Sequence, residues 1–197
     1  MKKIALLSVT ALLCYFVNTA YSQNNRIDLR MVKTPVHIGE RISLDMPLGK
    51  FINYKQDVAT LADFKNRLVI LGFWFTHCTS CIAQFPKENA LQQKRDRDMQ
   101  LVLVTYEPET AVRAFIKNWE QKNNTRFILP IIVSDTMLNK SFYKRYAPHY
   151  IWLSQEGEVI AQTSAYFLND VNLSGVAEAL EKEKFRVFRK KQKRSTN

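Results

Sequence analysis

Cys78-Thr79-Ser80-Cys81 places two thiols three residues apart between an apolar run, Leu68 to Phe75, and a helically spaced segment carrying Ile82, Phe85 and Leu91. Thiols at that spacing can close a small disulfide ring and open it again. A strand-to-helix junction suits the reaction. The free N–H groups and dipole of a helix N-terminus favour a thiolate, and the thiolate is the form that attacks a disulfide. The chemistry these residues offer is thiol–disulfide exchange.

The leader sets the compartment. Lys2 and Lys3 form a basic start, Ile4 to Val17 an apolar stretch, and Ala20-Tyr21-Ser22 the small residues before a cleavage point at Gln23. Residues 1–22 therefore read as an export signal rather than an anchor, because the apolar stretch falls short of the ~20 residues of a membrane span. Cys14 follows Leu13, where lipid attachment would want a small residue, so it goes with the leader. Of the three cysteines, removal of the leader leaves Cys78 and Cys81. No thiol remains for a separate structural disulfide, and an exported chain whose thiols form one short-spaced pair reads as a redox protein. A structural zinc site would want four ligands, often from two such pairs, and there is no second pair, so no metal is expected.

The net charge is +11, falling to +9 without Lys2 and Lys3. Export argues against nucleic acid as a partner. Much of the excess lies between Lys182 and Arg194. That tail would serve solubility, with weak contact to an anionic membrane as a secondary use.

The elements that must hold the pair follow from pattern. Residues 23–36 read as a mobile lead, 37–182 as one domain, and 183–197 as a basic C-terminal tail. His37 to Asp63 suggests short strands and turns, with turn signals at Gly39 and Pro47-Leu48-Gly49. Leu61 to Arg67 is a helical turn leading into the strand 68–75. A helix from Ser80 to Arg95 contains Pro86 as a kink. Leu101 to Tyr106 and Ile131 to Val133 are buried strands. Helices start at Pro108 and near Thr136, and Tyr150–Leu153 with Val159–Ala161 makes a hairpin around Gly157. The last helix runs from Asn172 to Phe188 with Leu173, Val176, Leu180 and Phe185 inward. The alternation predicts an α/β fold, a central mixed sheet with helices on both faces.

At this point the chain resembles a known family. Phe73-Trp74-Phe75-Thr76-His77-Cys78-Thr79-Ser80-Cys81, then Phe85-Pro86-Lys87, Leu61-x-Asp63-Phe64-Lys65 upstream and Ala147-Pro148-His149-Tyr150-Ile151-Trp152 downstream resemble the thioredoxin-fold TlpA/ResA-like oxidoreductases of bacterial envelopes, Bacteroidetes-type members above all. The resemblance covers about His37 to Ala165. It implies a thioredoxin-like fold, a cis Pro148 against the CxxC that shapes a groove for an extended substrate segment, and reduction of protein disulfides in the periplasm or cell envelope. Cys78 is then the nucleophile, with Cys81, one turn further in, resolving the mixed disulfide. No cofactor is expected beyond the pair itself. Substrates would be cysteine-containing envelope proteins, and another envelope or membrane thiol protein would supply electrons. Thr79-Ser80 carries no positive charge, so the pair should be moderately reducing.

Departures stand beside the likeness. Relatives often carry a polar or acidic residue six residues before the first cysteine, where this chain has Gly72, so the usual buried proton acceptor for the second thiol is missing. They commonly have Trp immediately before the first cysteine, where this chain has His77. Glu88, Glu107 and Glu109 are substitutes for the missing acid that nothing in the sequence ranks above solvated residues. His77 and His149 are auxiliary candidates for hydrogen bonding or proton transfer, since imidazole titrates near neutrality. Phe73 and Trp74 read as packing beneath the site. The alternative function is a Sco-like copper chaperone using Cys78, Cys81 and His149, although that family separates its cysteines by three residues and takes its histidine from another motif. A peroxiredoxin is disfavoured because its threonine stands three residues before the cysteine, whereas Thr76 stands two before.

Overall fold

The computed structural model describes residues 26–33 and 35–195, with 183–195 described by backbone alone. The leader, residues 1–22, lies outside the described residues.

In chain order the elements are β1 (Arg26–Ile27), a 3-10 turn (Leu29–Met31), β2 (Arg41–Ile42), β3 (Pro47–Ile52), β4 (Val58–Thr60), a second 3-10 turn (Leu61–Phe64), β5 (Leu68–Phe73), α1 (Thr79–Ile82), α2 (Phe85–Lys94), β6 (Met99–Val104), α3 (Glu109–Asn123), β7 (Ile131–Val133), α4 (Met137–Ser141), β8 (His149–Leu153), β9 (Val159–Ser164) and α5 (Asp170–Ser195). Seven strands form one mixed sheet in the order β4-β3-β7-β6-β5-β8-β9. β5, β6 and β7 are parallel neighbours, and β8 runs antiparallel to β5. β5 and β6 are buried along their whole length, which is why both are near-continuous apolar runs, broken in β6 by Gln100, rather than alternating ones. A parallel pair needs a crossover, and α1 with α2 supplies it between β5 and β6.

Alternation along the strands splits the core into two layers. Leu68, Ile70, Leu101, Leu103, Tyr150 and Trp152 pack with Cys78, Cys81, Phe85, Trp119 and Leu173 on one face. Val69, Leu71, Phe73, Val102, Val104, Ile151 and Leu153 pack with Leu29, Phe64, Leu138 and Phe142 on the other. Phe85 is the hub of the first layer. It meets Trp74, Trp119 and Phe127 edge-on at ring separations of 5.1, 6.1 and 5.1 Å. Edge-to-face geometry puts the positive rim of one ring against the negative face of the next. Trp74 thus lies under the site as packing, while Phe73 faces the opposite layer.

Four expectations from sequence come out differently. The lead is docked, with Leu29 and Val36 buried and β1 paired parallel to β2. The helix predicted over Ser80 to Arg95 is two helices. Pro86 has no N–H to give to the carbonyl of Ile82, so α1 closes with Gln84 N–H on the Cys81 carbonyl at 2.9 Å and α2 begins afresh at Phe85. Gly49 lies inside β3, where the pairing with β4 shifts register. Its φ of +143° and a Cβ position 2.7 Å from Ile132 Cγ2 explain the glycine without a turn. Lastly, the backbone of α5 continues through the stretch read as a separate tail, to Ser195. The start of α5 is pinned to the end of α2 by Lys94 and Arg95 on Asp170, at 2.6 and 2.7 Å.

Candidate active site

β5 ends at Phe73, and the loop after it delivers Cys78 to the N-cap of α1. The cap geometry matters. Cys78 Sγ takes the place of a capping oxygen and accepts the Cys81 N–H at 3.2 Å. An orphan helical donor therefore points at the sulfur where negative charge would develop. Cys78 and Cys81 are joined by a disulfide of 2.00 Å. They are 5 % and 1 % exposed, so Cys78 is the outer of the two.

The peptide bond between Ala147 and Pro148 is cis, at the start of β8. Ser80 ties this loop to the CxxC turn. Its hydroxyl donates to the Ala147 carbonyl at 3.2 Å and lies 3.4 Å from Cys78 Sγ. Sequence reasoning assigned nothing to Ser80 beyond its lack of charge. The missed signal is that a hydroxyl in the first helical turn is placed to bond across to a neighbouring loop.

Of the three glutamates offered for the missing acid, the structure separates the roles. Glu109 is a surface ion-pair residue. Lys50 and Arg113, at 2.8 and 2.6 Å, hold its carboxyl below the usual range. Glu107 braces the loop before Cys78, accepting the Thr76 N–H and hydroxyl, each at 2.7 Å. His77 is exposed, with Nδ1 3.1 Å from the Thr76 hydroxyl, so it sits on the rim of the site at the end of a Glu107–Thr76–His77 chain.

Glu88 is different. It is 1 % exposed, on α2, and its Oε1 accepts the hydroxyl of Tyr150. Its Oε2 has no protein partner. Burial pushes the carboxyl up to about 7, against the opposing pull of the Tyr150 hydrogen bond and the Lys87 charge. Tyr150 pairs with Gly72 across the β5–β8 ladder. A Cβ at Gly72 would lie 3.0 Å from Leu103 Cδ2 and 3.2 Å from the Tyr150 ring. The tyrosine ring fills the volume beside Gly72, and its hydroxyl carries the polar function over to Glu88. The stripe Cys81, Phe85, Glu88, Leu91 follows helical periodicity, so an acid interrupting an apolar face was the available clue.

This pair makes stability depend on pH. The carboxyl binds its proton more tightly in the folded chain, at about 7, than at the ordinary 4.5. The contribution is complete below pH ~4.5 and is lost as pH rises through 7, amounting to about 3 kcal/mol. Denaturant unfolding at a series of pH values should show wild type losing roughly that much relative to Glu88→Gln between pH 4.5 and 8.5. Parallel curves for the two proteins would contradict it.

His149 does not join the cysteines. It alternates with Tyr150 along β8 and so faces the opposite layer, 6 % exposed, edge-on to Tyr146 at 5.3 Å. Burial lowers its pKa, the Gln162 side chain opposes that, and the Lys144 charge adds to it. Lys144 is itself pushed down to about 8 by burial, its ammonium 4.2 Å from the Phe73 ring centre. Among the described residues no three of His, Cys, Asp and Glu are grouped to hold a metal ion. The ligand set of the copper alternative, Cys78, Cys81 and His149, is not brought together.

The sheet order, the crossover helix capped by Cys78 and the cis-proline strand opposite define a thioredoxin-like fold. The chain belongs to the Redoxin family, whose model matches residues 45–180. No curated protein matches. Solved structures similar to it include the thioredoxin domain of a thiol-disulfide oxidoreductase from Bacteroides vulgatus (19 % identity, TM-score 0.51, covering 74 % of this chain and 98 % of that one). They also include a mutant form of PrxQ from Xylella fastidiosa (14 %, 0.54, 77 % and 99 %) and a yeast mitochondrial 1-Cys peroxiredoxin (10 %, 0.54, 76 % and 77 %). At these identities the likeness is one of fold.

Proposed function

We propose that this protein is an exported thiol–disulfide oxidoreductase of the TlpA/ResA kind, reducing disulfides in other proteins of the cell envelope. What supports the reading is the Cys78 sulfur at a helix N-cap, under the Cys81 N–H, disulfide-bonded to Cys81 and linked through Ser80 to a cis-proline loop.

The chemistry runs from the reduced pair. The N-terminus of a helix favours the thiolate form of a cysteine placed there, which is the form that attacks. The Cys78 thiolate attacks one sulfur of a substrate disulfide, and the other sulfur leaves with its electron pair. Cys81 then gives up its proton and attacks Cys78 Sγ, releasing the second substrate sulfur and leaving the Cys78–Cys81 disulfide. Two electrons have passed to the substrate. A further thiol protein of the envelope restores the dithiol. The redox group is the cysteine pair, with no added cofactor. Pro148 lines the groove where an extended cysteine-bearing segment lies beside Cys78, and His77 stands at its rim. The basic residues between Lys182 and Arg194 would draw the protein weakly to anionic lipid.

The test is capture. With Cys81→Ser, attack proceeds and resolution does not, so cells expressing it should accumulate mixed disulfides that dithiothreitol releases and that Cys78→Ala abolishes. Absence of such adducts from correctly folded, exported Cys81→Ser protein would overturn the proposal.

A further inference from the structure

Resolution requires a proton to leave Cys81 inside the protein, yet the first layer holds no acid beside it at Gly72. The acid in that layer is Glu88, whose charge the exchange chemistry above does not use. The Gln84 N–H on the Cys81 carbonyl and the Glu88 N–H on the Gln84 carbonyl, both 2.9 Å, carry the helical path from one residue to the other. Ala83 and Gln84 keep right-handed helical backbone angles across the break, so Glu88 follows Cys81 on the same face of the crossover. Helical side chains lean towards the N-terminus, which brings the carboxyl back towards Cys81. Oε1 is fixed by the Tyr150 hydroxyl and Oε2 is left without a partner.

We propose that Glu88, oriented by Tyr150, is the proton acceptor for Cys81 during resolution of the mixed disulfide. The inference rests on the oxidoreductase reading above. In the step, the Cys81 S–H gives up its proton to Glu88 Oε2. The Cys81 thiolate forms the bond to Cys78 Sγ, and the bond from Cys78 to the substrate sulfur breaks. The departing substrate thiolate takes the electron pair, and the Glu88 proton is returned to it through solvent. Glu88 touches neither sulfur. It is a positioning group that sets when Cys81 can ionise. Gly72 belongs to the device, because its lack of a side chain makes room for the Tyr150 ring.

The experiment is single-turnover reaction of the reduced protein with a disulfide-bonded peptide, quenched with acid and followed by mass. Formation and decay of the mixed disulfide are timed between pH 5 and 10. Glu88→Gln should leave formation within twofold of wild type and slow decay by ~10- to 100-fold near pH 7. The deficit should close towards pH 10, where hydroxide ionises Cys81 unaided. Glu88→Asp should recover part of the rate. Tyr150→Phe keeps the buried ring and removes the hydroxyl that holds the carboxyl down, so the pH midpoint of decay should move upward. A structural role alone would slow both phases equally at every pH, and that result, or decay at the wild-type rate in Glu88→Gln, overturns the proposal. Failure of the parent reading looks different, since no mixed disulfide would form in any of the proteins.

Discussion

With Cys78 replaced by alanine, reduction of a disulfide substrate should fall by ~10³-fold or more, to the uncatalysed background. The attacking sulfur has no stand-in. Cys81 is 1 % exposed, an inner position that a substrate disulfide does not reach. The fold should survive. Cys78 contributes a single buried sulfur at the start of a four-residue helix, and its loss leaves one helical N–H, that of Cys81, without its acceptor. That costs about 1 kcal/mol against the reduced wild type. The measurement pairs turnover of a fluorogenic disulfide with denaturant unfolding. Activity within tenfold of wild type would place the nucleophile elsewhere.

Placing an acid at position 72, by Gly72→Asp, should damage the protein rather than improve it. Position 72 is buried and faces the Tyr150 ring and Leu103 Cδ2 at 3.2 and 3.0 Å from a Cβ. Even the first carbon must displace well-packed neighbours, at about 1–2 kcal/mol. The carboxylate then enters the layer that already holds Glu88. Two buried acids with one hydrogen-bond donor between them cannot both be satisfied. The expected total is about 4 kcal/mol lost at pH 7, read from the unfolding midpoint. Gly72→Ala isolates the steric part. A Gly72→Asp protein within 1 kcal/mol of wild type would mean that the Tyr150 ring yields more easily than its contacts imply.

These two sites mark how far the sequence could be read. The CxxC, the strand before it and the order of elements through the hairpin were legible because each is written in local pattern: a fully apolar run for β5, the apolar stretch from Leu101 in β6, helical spacing for α3, a turn glycine at Gly157. The expectation that Pro148 is cis came from the resemblance and not from its own surroundings. Glu88 reads in sequence no differently from a solvated acid, because its burial depends on Tyr150, sixty-two positions away. The docking of Leu29 and Val36 was hidden for the same reason. Their partners are residues of the core, while their immediate neighbours are basic and polar. Helix breaking at Ala83-Gln84 was half visible. Pro86 announced a disturbance, but whether a proline kinks or divides a helix is settled by how the preceding carbonyls find other donors. For His149, offered both as a strand-edge residue and as an auxiliary, parity decides which way the side chain faces. One step along a strand from Tyr150 is enough to send a side chain through to the far layer.

The scant surface of the sulfur pair has a consequence for selectivity. Rates of exchange scale with access as well as with thiolate fraction. A sulfur in a residue showing a twentieth of its area meets few of the small thiols diffusing past it. A polypeptide that lies along the ledge formed by Ser80 and the Ala147-Pro148 bond is held where collision becomes reaction. Under the proposed function, the reduced pair is expected to exchange faster with polypeptide disulfides than with small disulfides of equal potential, a ratio that stopped-flow kinetics would read.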